Sequence, residues 1–276
     1  MTLIALARCS VLTALMLVSA CANPRGAALR AFERGDVAGA RAQWLPLAEQ
    51  GDAGSQYLLA LSLEGEDPVG AADWYRRAAE RGHPAAQSNL GMLSYEGRGV
   101  ERSFEEAARW FTLAAEQDFA PARTNLGVCH LYGHGVAQDH ARARELLELA
   151  AEAGDVRAQG VLGSIHYEGF GTEIHHAEAA RWYGLAARQG LTTAQHRLGL
   201  LLVNGDGVER GERAGARWLN AAAEQGLAAA QYDLALLCLA GRGVERDRAV
   251  GLDWLEKAAA QGFEPARAKL ALVAAR

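Results

Sequence analysis

Eight histidines and four cysteines are the residues of this 276-residue sequence best suited to chemistry. His130 and His134 stand four apart, a spacing that lets two imidazoles bind a metal from one face of a helix. His140, His166, His175 and His176 follow in the next stretch of chain. However, His134 falls inside Gly133-His134-Gly135, where a helix is expected to end, and no carboxylate sits at a matching spacing. The expectation is that His130 and His166 fill a partly buried aromatic position, and that there is no metal site.

Nucleophile chemistry fares no better. Cys129 and Cys238 lie 109 positions apart, about three structural repeats, and are expected to be buried small hydrophobes without a disulfide. Lys257 and Lys269 are the only lysines, and neither has a Ser three residues before it. No Gly-x-Ser-x-Gly or His-Glu-x-x-His occurs. Gly205-Asp206-Gly207-Val208-Glu209-Arg210-Gly211 resembles a phosphate loop, but it follows a helical segment, lacks Lys-Ser/Thr and recurs along the chain. The sequence therefore predicts no catalytic residue, no cofactor and no enzyme. A cell-wall or β-lactam hydrolase is the least supported reading, because its nucleophile motif is missing.

The elements that hold these residues must be helical. Ala supplies 58 residues, whereas Val, Ile and Thr number 14, 3 and 7. Ala favours helix, and β-branched residues favour strand. This excludes β-sandwiches and barrels, and α/β sheets with their Val/Ile runs. A hydrophobic fraction of 50% excludes general disorder. The net charge of −5 gives nucleic-acid binding no basic footprint.

The chain repeats itself. Ala-Glu-Gln-Gly and its variants end at Gly51, Gly82, Asp118, Gly154, Gly190, Gly226 and Gly262, first 31 and then 36 residues apart. Eight residues after each comes a Leu, from Leu59 and Leu90 to Leu270, followed by Gly or Ala. Trp74, Trp110, Trp182, Trp218 and Trp254 lie eight residues before their tags; Trp44 is one residue out of phase. Each unit reads as two helices. The first carries the Leu-small pair and stops at a Gly-x-Gly, as at Gly97/Gly99 and Gly169/Gly171. The second runs through Trp to the tag. Ser103 to Glu106 reads as a capping box and Asp247 as an N-cap. The small residue lets the paired helices approach closely.

This pattern resembles the Sel-one-like repeat family, relatives of the tetratricopeptide repeat, over about residues 50–272. Residues 27–51 and 52–82 depart from it; their shorter turns look closer to tetratricopeptide units. A lone helix over residues 263–275, starting near Pro265, is expected to cover the end of the stack. The resemblance implies an all-α, right-handed solenoid of about seven stacked helix-turn-helix pairs plus that terminal helix. It also implies a concave face that serves as an adaptor or scaffold. By tetratricopeptide geometry the first helices line this face with Tyr57, Tyr95, Thr124, Tyr132, Arg157, Tyr167, Glu168, His196 and Tyr232. Tyr combines apolar area with a hydroxyl, which suits recognition of a protein or peptide. Envelope members of the family also support exopolysaccharide secretion, so a glycan-binding scaffold stands as the alternative.

Residues 1–20 read as a secretory signal: Arg8, then the apolar run Val11–Val18, too short to span a bilayer. Val18-Ser19-Ala20-Cys21 resembles the bacterial lipobox, which implies a lipidated Cys21 followed by a short tether to residue 26. The repeat domain then covers residues 27–276. Ala22 at the second position favours the outer membrane by resemblance to the enterobacterial sorting rule. The expected partners are an envelope protein or peptide and, through the lipid, the membrane.

Overall fold

The computed structural model describes residues 24–274. Signal, lipobox and Cys21 lie outside them. Among the described residues there are fifteen α-helices and no strand. They fall into two compact units, one ending at Ala153 and the other starting at Gly154.

The first unit holds four helix pairs: α1 (Pro24–Glu33) with α2 (Val37–Glu49), α3 (Ala53–Leu63) with α4 (Pro68–Glu80), α5 (Pro84–Glu96) with α6 (Phe104–Ala115), and α7 (Ala120–Tyr132) with α8 (His140–Glu152). The second unit holds α9 (Val156–Glu168) with α10 (His176–Arg188), α11 (Thr192–Asn204) with α12 (Glu212–Glu224), and α13 (Ala228–Ala240) with α14 (Arg248–Ala260), then the single α15 (Glu264–Ala274). Within each unit every helix packs on the next one in sequence. Seven pairs and a terminal helix are what the tag spacing predicts.

Close approach within a pair depends on the small residue after the repeated Leu. A Cβ on Gly91 would meet the Phe111 ring at 2.7 Å, and one on Gly163 the Tyr183 ring at 2.5 Å. Gly127 and Gly199 face Leu147 and Leu219 just as tightly, each at 2.8 Å. The large side chains of the second helices, Phe111, Leu147, Tyr183 and Leu219, are buried in these seams. Burial of such side chains supplies most of the stability of a helical stack.

The Gly-x-Gly turns do two jobs. Their first glycines, Gly97, Gly133, Gly169, Gly205 and Gly241, end the first helices in the left-handed conformation. Within each unit the second glycine touches the repeat before it. A Cβ on Gly135 would lie 2.0 Å from the Phe104 carbonyl oxygen, and one on Gly243 2.3 Å from that of Glu212. The turns at Gly99, Gly135, Gly207 and Gly243 thus rest on the start of the preceding second helix. Ser103 caps α6 by accepting from the Glu106 amide at 3.1 Å. The return bond of a capping box is not made: the Ser103 amide donates to the Ser94 carbonyl at 2.9 Å, and Glu106 pairs with Arg109. Asp247 caps α14 as expected.

A ladder of glutamines stitches repeat to repeat. Gln87, Gln195 and Gln231 each lie in a first helix and donate to a carbonyl at the end of the preceding second helix: Ala79, Ala187 and Ala223. The Gln of the following tag then donates to the same side chain's oxygen, Gln117 to Gln87 and Gln261 to Gln231, both at 2.8 Å. All three first-helix glutamines are buried. A buried amide must be paired on both its polar ends, and this ladder pairs both.

Candidate functional site

The first helices carry every side chain expected to face a partner, but the structure divides them. Tyr57, Tyr95 and Thr124 are buried. Tyr57 stacks on His83 (4.8 Å between ring centres) and touches Tyr75 (5.8 Å). Tyr95 packs on Phe104 at 4.8 Å and shares a hydrogen bond of 2.6 Å with His134. The Thr124 hydroxyl donates to the Ala120 carbonyl of its own helix at 3.1 Å. Neighbouring helices cover all three, so they offer a partner little surface. The physical cause is repeat-to-repeat packing, which a single-helix periodicity does not reveal.

Tyr132, Arg157, Tyr167, His196 and Tyr232 are half-buried, and Glu168 is exposed. In the second unit Tyr167, His196 and Tyr232 are linked through their neighbours. Tyr167 at the end of α9 stacks on His176 at the start of α10 (5.1 Å). The Arg197 guanidinium of α11 lies over the same Tyr167 ring at 5.2 Å. One residue earlier, His196 Nε2 meets Asp233 of α13 at 2.7 Å. Tyr232, beside Asp233, packs on Phe263 at 5.6 Å. Thus α11 touches α9 through Arg197 and α13 through His196. The three first helices share one surface of Tyr, His, Arg and carboxylate. Sequence reading missed Arg197 and Asp233. They stand one residue beyond His196 and Tyr232, and their opposite charges on neighbouring repeats were the available signal.

In the first unit the corresponding surface is an aromatic cluster. His134 stacks on Phe104 (4.8 Å) and on Tyr132 (5.7 Å), and Arg102 lies over the Phe104 ring at 4.7 Å. Burial pushes the Tyr95 hydroxyl up to about 12, with Cys129 adding to the effect. Burial raises Tyr132 as well. These phenols are apolar contact area with a hydroxyl, not acid–base groups at neutral pH.

The histidines do not converge. His130 Nδ1 faces the Ala137 carbonyl at 3.3 Å, while His134 Nδ1 faces Tyr95. His166 and His175 meet only edge to face at 6.4 Å. Among the described residues no group of three or more His, Cys, Asp or Glu side chains is placed to hold a metal ion. Cys129 and Cys238 are free and buried. Burial pushes the Cys129 thiol up to about 12, far from a nucleophile's range.

A family model for the Sel1 repeat matches residues 53–83, 84–119, 120–155, 156–191, 192–227 and 228–263 without a gap. The chain belongs to the Sel1 repeat family. Residues 53–83, whose short turn looked closer to a tetratricopeptide unit, are a Sel1 repeat with a shortened loop. Two solved structures share the Sel1 repeat architecture with it. One is c5321, a protective antigen present in uropathogenic Escherichia coli strains with an SLR fold (TM-score 0.77, 32% identity, 84% of this chain and 51% of that one). The other is a Sel1 repeat protein from Oxalobacter formigenes (TM-score 0.76, 30% identity, 85% and 69%). The chain spans about half the length of the Escherichia coli protein. No curated protein matches it. Sel1 repeat proteins are generally protein–protein interaction scaffolds, and the family is generally non-enzymatic. No helix among the described residues is long and apolar enough to cross a membrane.

Proposed function

We propose that this Sel1 repeat protein is a lipid-anchored scaffold of the bacterial envelope that binds a protein or peptide along its first helices. One observation carries the binding reading. In the second unit α9, α11 and α13 are linked through Arg197–Tyr167 and His196–Asp233 into one surface that leaves Tyr167 and Tyr232 half-exposed. Tyr gives large contact area at low entropy cost, and its hydroxyl pairs with the main chain of a bound segment. The contacts among the helices fix the spacing of these side chains before a partner arrives, which lowers the ordering cost of binding. Anchoring rests on the Val18-Ser19-Ala20-Cys21 sequence. A di- or triacylated Cys21 would hold the protein on a membrane, because two or more acyl chains are needed for stable attachment.

Two experiments test the two halves. A photo-crosslinking residue placed at Tyr232 in the full chain, expressed in its native host, is expected to capture a defined envelope protein. That capture should be lost when Tyr167 and Arg197 are both replaced by Ala. Recovery of no reproducible partner overturns the binding reading. Separately, labelled palmitate is expected to be incorporated into the full chain and not into the Cys21→Ser variant; equal labelling of both overturns the anchor.

A further inference from the structure

The glutamine ladder is interrupted at one helix. Each rung has two halves. In the backward half, the residue five positions after the end of a tag donates to the end of the preceding second helix: Gln56 to Ala48, Gln87 to Ala79, Gln195 to Ala187, Gln231 to Ala223 and Arg267 to Ala259. In the forward half, the Gln of the next tag donates to the same side chain: Gln117 to Gln87, Gln189 to Gln159, Gln225 to Gln195 and Gln261 to Gln231. In α7 this place belongs to Arg123, and the following tag carries Ala153. Arg has no acceptor oxygen and Ala has no amide, so the forward half is lost from both sides. The backward half is not made either, because the Arg123 guanidinium turns to Asp118. Among the described residues, α7 is the one first helix following another repeat that has neither half.

What stands in place of the rung holds less. The Asp118 side chain is 85% exposed, and an ion pair with one end in water contributes little. The pair spans five residues, so it joins α7 to the turn before it and to no neighbouring helix. Asp118 also stands where the other tags end in Gly. It holds φ +60°, and among the described residues no other residue except Gly has a positive φ. Three departures from the repeat, Asp118, Arg123 and Ala153, therefore bear on the same helix. Ala153 is also the last residue of the first compact unit.

We propose that α7 is the yielding element of the stack, a helix that opens locally while α5 and α6 stay folded. Helices open in the order in which their ties fail, and the rungs are the ties that bind one repeat to the next. The paired replacement of both Gln by Arg123 and Ala153 removes two cross-repeat bonds at one level without leaving a buried amide unpaired. The scaffold thereby gains one place where the spacing of α5 and α7 can change. This is a property of the free chain, and it holds whether or not the first-helix surface binds a polypeptide.

The test is amide hydrogen exchange on the full chain, read by mass spectrometry over α5, α7 and α11. The α7 amides are expected to exchange about tenfold faster or more than those of α5 and α11. Their exchange should depend only weakly on added urea, the mark of an opening that exposes little surface. Arg123→Gln together with Ala153→Gln installs the residues that other repeats carry. It is expected to slow α7 about tenfold, as two restored hydrogen bonds would, and to leave α5 and α11 as they were. The slowing should exceed the product of the two single changes, since the forward half needs both. Exchange of α7 no faster than that of α5, a urea dependence equal to that of global unfolding, or a double variant that leaves α7 unchanged overturns the proposal. Should the double variant fold poorly, the comparison of helices within the parent chain decides.

Discussion

Gln225 and Gln195 are 30 residues apart and joined by a hydrogen bond of 2.7 Å from Nε2 of the first to Oε1 of the second. Gln195 Nε2 in turn donates to the Ala187 carbonyl of the preceding repeat at 3.2 Å. One buried amide therefore ties together two second helices that do not follow each other in sequence. Replacing Gln195 by Ala removes both of these hydrogen bonds, while the Ala187 carbonyl keeps the Gly190 amide and Gln225 keeps Thr192 and Ala221; two bonds lost make a loss of about 1–3 kcal/mol expected in urea unfolding. A double-mutant cycle with Gln225→Ala should show a coupling of about 0.5 kcal/mol or more. Strict additivity would count against the ladder.

The second glycine of each turn makes a sharper comparison. Gly135 has φ +71° and no space for a Cβ, whereas Gly154 has φ +92° and open space around it. Gly154→Ala is expected to cost about 1–2 kcal/mol, the backbone penalty alone. Gly135→Ala adds a collision with the Phe104 carbonyl and should cost clearly more. Chemical denaturation of the two variants side by side checks the order; equal losses would refute the docking of the turn on α6.

Gly163→Ala probes the helix–helix seam. The new methyl would meet the Tyr183 ring, which is buried and hydrogen-bonded to Ser164 at 3.1 Å and so has little room to yield. Overpacking of this kind is expected to cost about 1–3 kcal/mol, read as a lower Tm in calorimetry.

Burial makes the molecule alkali-sensitive. Cys129 is pushed from 9.0 to about 12, and Tyr95 from 10.0 to about 12; Tyr75 and Tyr183 move in the same direction. Above about pH 9 the unfolded chain gives up these protons while the folded chain keeps them. The unfolded state then binds fewer protons, so stability must fall as pH rises from about 9 through 12. It is fully present below that window. Unfolding free energies measured from pH 7 to 11 should show the decline. In the same samples a thiol reagent at pH 8 should label Cys129 only when urea is added.

Much of the architecture could be read from residue spacing. The recurring Leu-small pair marks the seam, as Gly91 against Phe111 shows, and Gly97 ends its helix in the expected conformation. The surface was harder to read. Tyr57 and Tyr95 have the same helical phase as exposed recognition residues, but His83, Phe104 and His134 from adjoining elements cover them. Gln195 looked like an ordinary polar helix residue because its partners lie 30 and 8 residues away, on different helices. Such contacts belong to pairs of repeats, and no single helix displays them.

The resting of Gly135 on Phe104 and of Gly243 on Glu212 bears on how a gene of this kind can grow or shrink. Each glycine needs a second helix starting one repeat earlier. Excision of one complete 36-residue module, such as 192–227, would bring Gly243 to the same seat on the start of α10 that Gly207 now fills. A deletion that is not a whole number of modules would shift the turn off its seat. Duplication and loss are thereby steered towards whole modules, and the number of repeats becomes a quantity evolution can count.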